Sequence, residues 1–231
     1  MPNVRRLAAI LAADVVGYSR LMGADEEGTL ERLKGARREL VDPKIKGHRG
    51  RIVKTTGDGL LAEFPSVVDA VRCAVEVQRA MLDSNAETPE HRRISFRIGI
   101  NLGDVIIDGD DIYGDGVNIA ARLEVLAEPG GICISRVVRD QIRDKLLYPF
   151  QDMGEQSVKN IARPMRTYGM RVDAVASTRL IPVQVRPAPS PRSTSATVAD
   201  AAQRLSFVVL AFANLSSDPD QEYFADGITD D

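Results

Sequence analysis

The sequence predicts an α+β fold, an antiparallel sheet with helices mainly on one face. Apolar patterns over the first 173 residues follow the order β-α-β-β-α-β and continue with a further helix and short strands. A tight hairpin signal joins the second and third strands, which makes them antiparallel neighbours. No P-loop motif and no dinucleotide-binding glycine motif opens a helix, which excludes those two kinds of phosphate site. The order of elements is that of a ferredoxin-like split β-α-β core.

Each element of this core follows from the spacing of its apolar residues. The first segment is nearly all apolar up to Asp14, as expected for a strand buried on both faces. The second has apolar residues at helical spacing, and Pro43 makes its last turn irregular. Ser66 is a suitable N-cap for the next helix. The predicted strands span residues 7–16, 51–55, 60–64, 94–107 (one strand or two), 132–134, 150–156 and 167–172, and the predicted helices span residues 25–46, 66–82, 115–126 and 137–145.

Composition divides the chain into three parts. Residues 1–173 form the predicted core domain, in which acidic and basic side chains balance. Residues 174–204 are rich in Pro, Ser, Thr and Ala, with too little apolar surface to offset the entropy of ordering, and are predicted to be a linker. Residues 205–231 combine one apolar run with a strongly acidic end.

The overall composition also limits the class of protein. A net charge of −3 without a basic stripe argues against a nucleic-acid-binding surface. The apolar runs are too short to cross a bilayer and the N-terminus lacks the core of a signal peptide, so we expect no membrane segment and no export. Cys73 and Cys133 form no CxxC motif, which argues against a disulfide scaffold or zinc site and fits a reducing cytoplasm.

Two aspartates are expected to lie close together at one end of the sheet. Asp14 ends the first buried strand, and Asp58 lies at the tip of the hairpin beside it. Two nearby carboxylates repel each other unless a cation lies between them. A pair of aspartates on neighbouring strands therefore suits a two-metal site for phosphoryl transfer. The alternative is that Asp58 only makes the turn and that Asp14 caps the start of a helix.

A second group of polar residues lies in the segment 111–122. Asn118 and Arg122 are four residues apart on a predicted helix, so their side chains point in the same direction. An amide and a guanidinium on one helix face can hold a ribose and a phosphate. The alternative is an ordinary polar helix surface on which Arg122 pairs with Glu124 or Glu128.

Taken together, three motifs in the same order resemble those of a known enzyme family. They are A-D-V-V-G-Y-S beginning at Ala13, K-T-T-G-D-G beginning at Lys54, and the segment from Asp111 to Arg122 followed by Leu-Glu. From about residue 7 to residue 172, the chain strongly resembles a class III nucleotidyl cyclase catalytic domain. The expectations that follow in this subsection rest on that resemblance.

The resemblance implies that Asp14 and Asp58 hold two Mg²⁺ or Mn²⁺ ions in each active site. One ion would lower the pKa of the ribose 3′-hydroxyl so that it attacks the α-phosphate. The other would hold the triphosphate and neutralise the leaving pyrophosphate. The backbone next to Asp14 is expected to approach the phosphates, a contact that Gly17 permits; this segment is Val15, Val16, Gly17 and Tyr18.

The remaining catalytic positions are also implied by the resemblance. Asn118 matches the residue that orients the ribose, and Arg122 matches the one that stabilises charge at the transferring phosphorus. Lys159 falls at the position of a lysine that binds the triphosphate, on spacing and a short local pattern.

Lys54 and Asp111 lie at the positions that select the base in this family. Adenine presents a donor at N6 and an acceptor at N1, so a carboxylate and a lysine suit it. Guanine reverses that demand and would leave polar groups unmatched. The expected substrate is therefore ATP. The alternative for Lys54 is a lysine on a strand edge without such a role.

In this family the metal-binding aspartates come from one subunit, and the base-reading, ribose-binding and arginine residues come from the other. This chain carries both sets, so we expect a homodimer with two equivalent sites and an inactive monomer. The expected activity is that of an adenylate cyclase. The alternatives are a non-catalytic cyclase-homology domain for regulation or dimerisation, and a guanylate cyclase.

Residues 205–231 resemble the opening of a TolB-like module that precedes tetratricopeptide repeats in bacterial cyclases of this type. The chain stops inside that opening, so we expect either a truncated product or a fragment of a longer protein. The apolar run at residues 207–212 would then lack sheet partners.

Overall fold

The fold is built on one eight-stranded sheet. The structure is a computed structural model that describes residues 4–157, 161 and 163–178. Its strands are β1 (Val4–Val15), β2 (Arg51–Thr56), β3 (Gly59–Phe64), β4 (Phe96–Asp108), β5 (Asp111–Tyr113), β6 (Ile132–Ser135), β7 (Gln151–Gln156) and β8 (Met165–Met170). Its α-helices are α1 (Tyr18–Ala24), α2 (Glu26–Ala36), α3 (Asp42–Gly47), α4 (Val67–Asn85), α5 (Asp115–Leu126), α6 (Arg136–Ile142) and α7 (Val172–Ser177). A π-helical turn (Arg37–Val41) and a 3₁₀ turn (Glu90–Arg92) complete the set.

The strand order confirms the predicted fold class. Strands follow the order β2-β3-β1-β4-β6-β8-β7, and β5 pairs with β4 at the end of a hairpin. The first four strands in this order form the ferredoxin-like core. The sheet departs from the predicted antiparallel pairing at one place, where β4 and β6 run parallel, with Ile98 opposite Ile132. The helix α5 crosses over between these two strands, which permits the parallel pairing.

Alternate residues of β1 pack on opposite faces of the sheet. Ala9, Leu11 and Ala13 belong to the larger core, which also receives residues of the other six helices. Ala8, Ile10 and Ala12 belong to a smaller core closed by α5. Helices therefore lie mainly on one face, as predicted, and α5 is the exception. We call the face of the sheet that α5 covers the α5 face.

The helix α5 lies unusually close to β4. A Cβ atom on Gly99 would lie 2.2 Å from the backbone nitrogen of Glu124 and 2.3 Å from the carbonyl oxygen of Ala120. Only glycine allows this approach at residue 99. The close contact fixes the height of α5 above the sheet, and with it the positions of the side chains that α5 carries.

The helix predicted over residues 25–46 is present as a continuous helical stretch over residues 26–47, with one π-helical turn inside it. Asp25 caps α2 by accepting a hydrogen bond from the backbone N–H of Gly28 at 3.0 Å. The π-helical turn then separates α2 from α3. Pro43 lies in the first turn of α3, where a missing backbone N–H costs little. Ser66 caps α4 by accepting from the N–H of Asp69, as the sequence predicts.

Two elements near the predicted site were not expected. The chain leaves β1 and enters α1 through Gly17, whose φ of +66° is in the left-handed region that favours glycine. The three-residue strand β5 begins at Asp111. Residues 94–107 form one strand rather than two.

The end of the described chain differs from the predicted boundary at residue 173. The helix α7 runs from Val172 to Ser177, with Val175 fully buried in the larger core. Most of the predicted linker and all of residues 205–231, with their resemblance to a TolB-like module, lie outside the described residues. Across the part of the chain that the structure describes, no helix is long and apolar enough to cross a membrane.

Candidate active site

The predicted metal-binding residues lie at one end of the core sheet. Asp14 is the penultimate residue of β1 and pairs with Arg97 of β4. Ala13 pairs with Leu60 at the start of β3, so the β2–β3 turn that carries Asp58 lies beside the end of β1. The alternation of β1 places Asp14 on the α5 face.

The guanidinium of Arg97 forms a bidentate ion pair with the carboxylate of Asp14. Its Nε lies 3.0 Å from Asp14 Oδ1, and its Nη2 lies 2.5 Å from Asp14 Oδ2. The same guanidinium lies 3.6 Å from Glu124 Oε1 on α5. The hydrogen bonds to Asp14 raise the pKa of Arg97. Arg97 therefore stays charged and holds the carboxylate of Asp14 from the β4 side.

Three carboxylates converge at this end of the sheet. Burial raises the pKa of Glu124 to about 8, and the negative charges of Asp14 and, to a smaller extent, Asp58 add to the rise. The positive charge of Arg97 opposes this shift only in part. The group thus has an excess of negative charge, which a bound cation would relieve.

This donor set fits a divalent cation of the magnesium type. Mg²⁺ prefers oxygen ligands, and proteins hold it through one or two carboxylates together with waters and substrate phosphates. Asp14 and Asp58 are the two carboxylates that the sequence predicts for this role. In the described ranges, no three His, Cys, Asp or Glu side chains are already arranged as a metal cage.

The alternative role for Asp14 as a helix cap is wrong. Asp14 lies inside β1, and the residue that precedes α1 is Gly17. The alternative for Asp58 is correct in its geometry, because Asp58 does lie in the tight turn between β2 and β3. A turn position and a metal-binding position are compatible here, since the turn is what carries Asp58 to the end of β1.

The predicted phosphate-binding segment follows Asp14 directly. Val15 is buried at the end of β1, and the N–H of Val16 donates to the carbonyl oxygen of Ser95 at 2.9 Å. The left-handed turn at Gly17 then starts α1 at Tyr18. The segment therefore lies next to the carboxylates, while its contact with phosphates stays a prediction.

The predicted base-reading residues form a close ion pair. Lys54 Nζ lies 2.8 Å from Asp111 Oδ2 and 3.0 Å from Oδ1. The backbone N–H of Ile112 also donates to Asp111 Oδ1, at 2.7 Å. The hydrogen bond from Lys54 is the largest cause that lowers the pKa of Asp111. Lys54 lies on the edge strand β2, but it is not an isolated surface lysine.

Tyr113 lies beside this pair on β5. Lys54 Nζ is 5.1 Å from the centre of its ring, within range of a cation–π contact. The neighbouring carboxylate of Asp111 raises the pKa of the Tyr113 hydroxyl. The ring is about half exposed, at 48%. An aromatic side chain thus borders the ion pair on the solvent side.

Asn118 and Arg122 lie one turn apart on α5, as predicted. Asn118 is exposed and Arg122 is half-buried. The alternative pairing of Arg122 is wrong, because Glu124 lies against Arg97 and Glu128 lies 3.3 Å from Arg171. Among the described residues, no hydrogen bond or ion pair involves the side chain of Asn118 or Arg122. Both side chains are free of competing partners within this part of the chain.

One predicted residue could not be placed and two further residues were missed. Lys159 lies outside the described residues. Arg97 and Glu124 lie with Asp14 and Asp58 at this end of the sheet, but they were not singled out from the sequence. We call the side chains of Asp14, Asp58 and Glu124 the carboxylate group. The pairing of the predicted strands at 7–16 and 94–107 could have suggested Arg97, although the sequence alone does not give their register. Glu124 required the position of α5 above β4.

A wide groove on the sheet lies apart from the predicted site residues that the structure describes. A cavity of about 760 Å³ opens between α5, α6 and the β7–β8 hairpin, lined by residues such as Asn101, Asp115, Arg136 and Arg166. Of the predicted site residues that the structure describes, none lines this groove. The carboxylate group and the Lys54–Asp111 pair lie elsewhere on the sheet.

This chain is similar in sequence to the catalytic domains of one enzyme family. The family described as the adenylate and guanylate cyclase catalytic domain matches residues 5–171. A Rhizobium meliloti (strain 1021) protein named "Putative adenylate cyclase 3" is 44% identical over 227 residues, which cover 98% of this chain and 37% of the relative. The chain thus spans little more than a third of that relative's length.

Solved structures share the same fold. A crystal structure described as an adenylate/guanylate cyclase/hydrolase from Silicibacter pomeroyi is 52% identical, with a TM-score of 0.70, and the match covers 73% of this chain and 98% of that one. The adenylyl cyclase CyaB from P. aeruginosa is 25% identical, with a TM-score of 0.64, over 73% of this chain and 95% of that one.

Proposed function

Because this chain belongs to the family of adenylate and guanylate cyclase catalytic domains, we propose that it is an adenylate cyclase. The reaction would convert ATP to 3′,5′-cyclic AMP and pyrophosphate in intracellular signal transduction. The observation that carries the choice of base is the ion pair between Lys54 and Asp111 on the α5 face.

The Lys54–Asp111 pair supports ATP rather than GTP. A lysine offers only donors and an ionised carboxylate offers only acceptors. Adenine can accept from Lys54 at N1 and donate from N6 to Asp111. Guanine would place its O6 acceptor before the carboxylate and its N1 donor before the lysine. Such unmatched buried polar groups give strong discrimination.

Asp14 and Asp58 would hold two Mg²⁺ or Mn²⁺ ions. Bound ions would lower the pKa of the ribose 3′-hydroxyl and neutralise charge on the triphosphate. Arg97 orients the carboxylate of Asp14 until a cation competes for the same oxygens. The raised pKa of the buried Glu124 favours its protonated form near neutral pH, and a cation bound at Asp14 would favour its ionisation.

The remaining side chains would bind the nucleotide itself. Asn118 would orient the ribose, so that the 3′-hydroxyl faces the α-phosphate. Arg122 would stabilise the charge that develops around the phosphorus. Lys159 would bind the triphosphate, and the backbone of Val15, Val16, Gly17 and Tyr18 would lie along the phosphates.

We further propose that the active unit is a homodimer with two shared sites. Asp14 and Lys54 both lie on the α5 face, and Asn118 and Arg122 have no partners among the described residues. A second copy facing this surface would bring its own Asn118 and Arg122 to Asp14 and Asp58. We place the protein in the cytoplasm, where ATP is available and the buried thiols of Cys73 and Cys133 stay reduced.

The experiment is incubation of the purified protein with ATP or GTP plus Mn²⁺ or Mg²⁺, followed by chromatography of the products. We expect cyclic AMP from ATP and little cyclic GMP from GTP. Cyclic GMP as the main product would make the protein a guanylate cyclase. A dimeric protein without any cyclic product would contradict the enzyme assignment and favour a non-catalytic dimerisation domain.

Two variants assign the activity to the predicted site. Asp14→Asn should abolish cyclic AMP formation, because the substitution removes a metal-binding charge and leaves the shape of the side chain. Asp83→Asn is the matched control, since Asp83 is an exposed residue near the end of α4 on the opposite side of the sheet. Full activity in Asp14→Asn would refute the metal assignment.

A further inference from the structure

The turn between β4 and β5, which leads into Asp111, is contacted by Arg51, a residue that has no assigned role so far. Arg51, three residues before Lys54 on β2, donates from Nη1 to the backbone carbonyl oxygen of Asp110 at 2.8 Å. Asp110 directly precedes Asp111 in the turn between β4 and β5. Arg51 thus touches the turn that presents the predicted base-reading carboxylate.

Arg51 is itself anchored on a buried carboxylate. Its Nε donates to Glu63 Oε1 at 2.8 Å. Only 6% of the Glu63 side chain is exposed, and the same oxygen accepts a hydrogen bond from Arg6 on β1. A buried charge with two cationic partners is held firmly, because its separation from either partner would leave it poorly compensated.

An irregularity of β2 places Arg51 and Lys54 on the same side of the sheet. Residues three apart on a regular strand point to opposite faces. Here Arg51 pairs with Glu63 and Lys54 pairs with Leu61, with a bulge between Ile52 and Lys54. Glu63 and Leu61 share one face, so the extra residue in β2 turns Lys54 towards the α5 face as well. The strand β2 therefore carries both Lys54, the predicted base-reading residue, and Arg51, which contacts the turn between β4 and β5.

The turn needs such support because of its own charges. Asp108, Asp110 and Asp111 lie within four residues of each other, and like charges at this spacing repel. The strand β5 has only three residues and pairs with β4 alone. The guanidinium of Arg51 supplies both a hydrogen bond and an opposing positive charge at this point.

We propose that Arg51 and Glu63 form a positioning pair that sets the base specificity of the site by fixing the turn that carries Asp111. The inference rests on the proposed adenylate cyclase function. Neither residue touches the base in this arrangement. Arg51 determines where the Asp111 carboxylate lies relative to Lys54, and the separation of those two groups decides which base edge they match.

The test compares Arg51→Gln with Arg6→Gln. Both substitutions remove one arginine from the same oxygen of Glu63, but only Arg51 contacts the turn. Loss of a hydrogen bond from a charged donor corresponds to about a tenfold effect. We expect Arg51→Gln to lower the ratio of kcat/KM for ATP to that for GTP about tenfold, mainly through a higher KM for ATP. Arg6→Gln should change this ratio by less than about twofold.

A second readout follows the turn without catalysis. Amide hydrogen exchange of residues 109–112 should accelerate about tenfold in Arg51→Gln and stay unchanged in Arg6→Gln. Arg51→Lys keeps the positive charge but loses the planar set of N–H donors of the guanidinium. Its ATP/GTP ratio of kcat/KM and its exchange rate in the turn should therefore lie between those of the wild type and Arg51→Gln.

The outcomes separate this inference from the proposed function. Absence of any cyclic nucleotide product from the wild-type dimer would overturn the proposed function, and base selection by Arg51 with it. An active enzyme in which Arg51→Gln leaves the ATP/GTP ratio and the exchange of the turn unchanged would overturn this inference alone. Equal effects of Arg51→Gln and Arg6→Gln would also overturn it, since they would show a general loss of support for Glu63.

Discussion

Arg97 and Asp14 are bound to each other at the place where a metal ion is expected. A divalent cation must therefore compete with a guanidinium for both oxygens of the Asp14 carboxylate. Asp14 and Asp58 could be predicted from the sequence, because they follow from motif positions at the end of a strand and in a hairpin turn. The role of Arg97 could not be predicted from the sequence, because it depends on the register of β1 with β4.

Arg97→Met should raise the affinity for Mn²⁺ measured in the absence of nucleotide, by about tenfold, since the carboxylates lose their competing positive charge. Electron paramagnetic resonance of free Mn²⁺ during a titration measures this affinity. Arg143→Met, on an exposed arginine that follows α6, is the control and should leave the affinity unchanged. A weaker Mn²⁺ affinity in Arg97→Met would contradict the competition.

Glu124 makes the stability of the metal-free protein depend on pH. Its pKa is raised to about 8 in the folded chain from 4.5, so between these pH values the native state holds a proton that the unfolded state has lost. Stability contributed by this group is therefore lost as pH rises through that window. Glu124→Gln, which cannot ionise, should become more stable than the wild type by on the order of 1–3 kcal/mol as pH rises from 5.5 to 8.

Urea unfolding at several pH values, with a chelator present, measures this difference. Glu128→Gln is the control, because Glu128 is an exposed residue just beyond the same helix and pairs with Arg171 on the surface. Its stability should follow the wild type at every pH. Parallel curves for Glu124→Gln and the wild type would show that Glu124 is ionised in both states.

Among the elements, α5 was predicted with the bounds that it has, whereas α1 and β5 were missed. The apolar spacing and the Pro-Gly-Gly signal after α5 were sufficient for its prediction. The helix α1 has seven residues and β5 has three, too few for a periodic pattern to be recognised. The short helix α7 was missed as well. Of these elements, α1 and β5 adjoin the site, where tertiary contacts rather than local propensity determine the backbone.

The close packing of α5 on β4 gives a prediction for the element as a whole. Gly99→Ala places a methyl group within 2.3 Å of the α5 backbone, which must shift away from the sheet. We expect a loss of about 2–4 kcal/mol in the free energy of unfolding. Activity should fall further than stability, because Asn118 and Arg122 move with the helix.

Gly35→Ala serves as the matched control for thermal and urea unfolding. No atom lies within 4 Å of a Cβ at Gly35, which is inside α2. This substitution should stabilise the protein by about 0.5–1 kcal/mol, because alanine is the better helix former. If Gly99→Ala were as stable and as active as the wild type, the spacing of α5 from β4 would not control the site.

At the scale of the whole molecule, one face of the sheet carries both halves of the predicted chemistry. The carboxylates lie at one end of β1 and β4, and Lys54 on the edge strand β2 binds Asp111 of β5. Asn118 and Arg122 lie on α5 without partners among the described residues. The sequence predicted these three groups as motifs. Their distribution over a single face could not be predicted without the β2 bulge and the packing of α5.

The most direct test of the shared site is complementation between two inactive variants, Asp58→Asn and Arg122→Ala. Each alone should be nearly inactive, because every site in either homodimer lacks one group. Co-expression in equal amounts should restore about a quarter of the wild-type cyclic AMP formation, since half of the dimers are mixed and each mixed dimer has one intact site. Mixed dimers that are isolated by two different affinity tags and still form no cyclic AMP would contradict a site completed by a second copy of this chain.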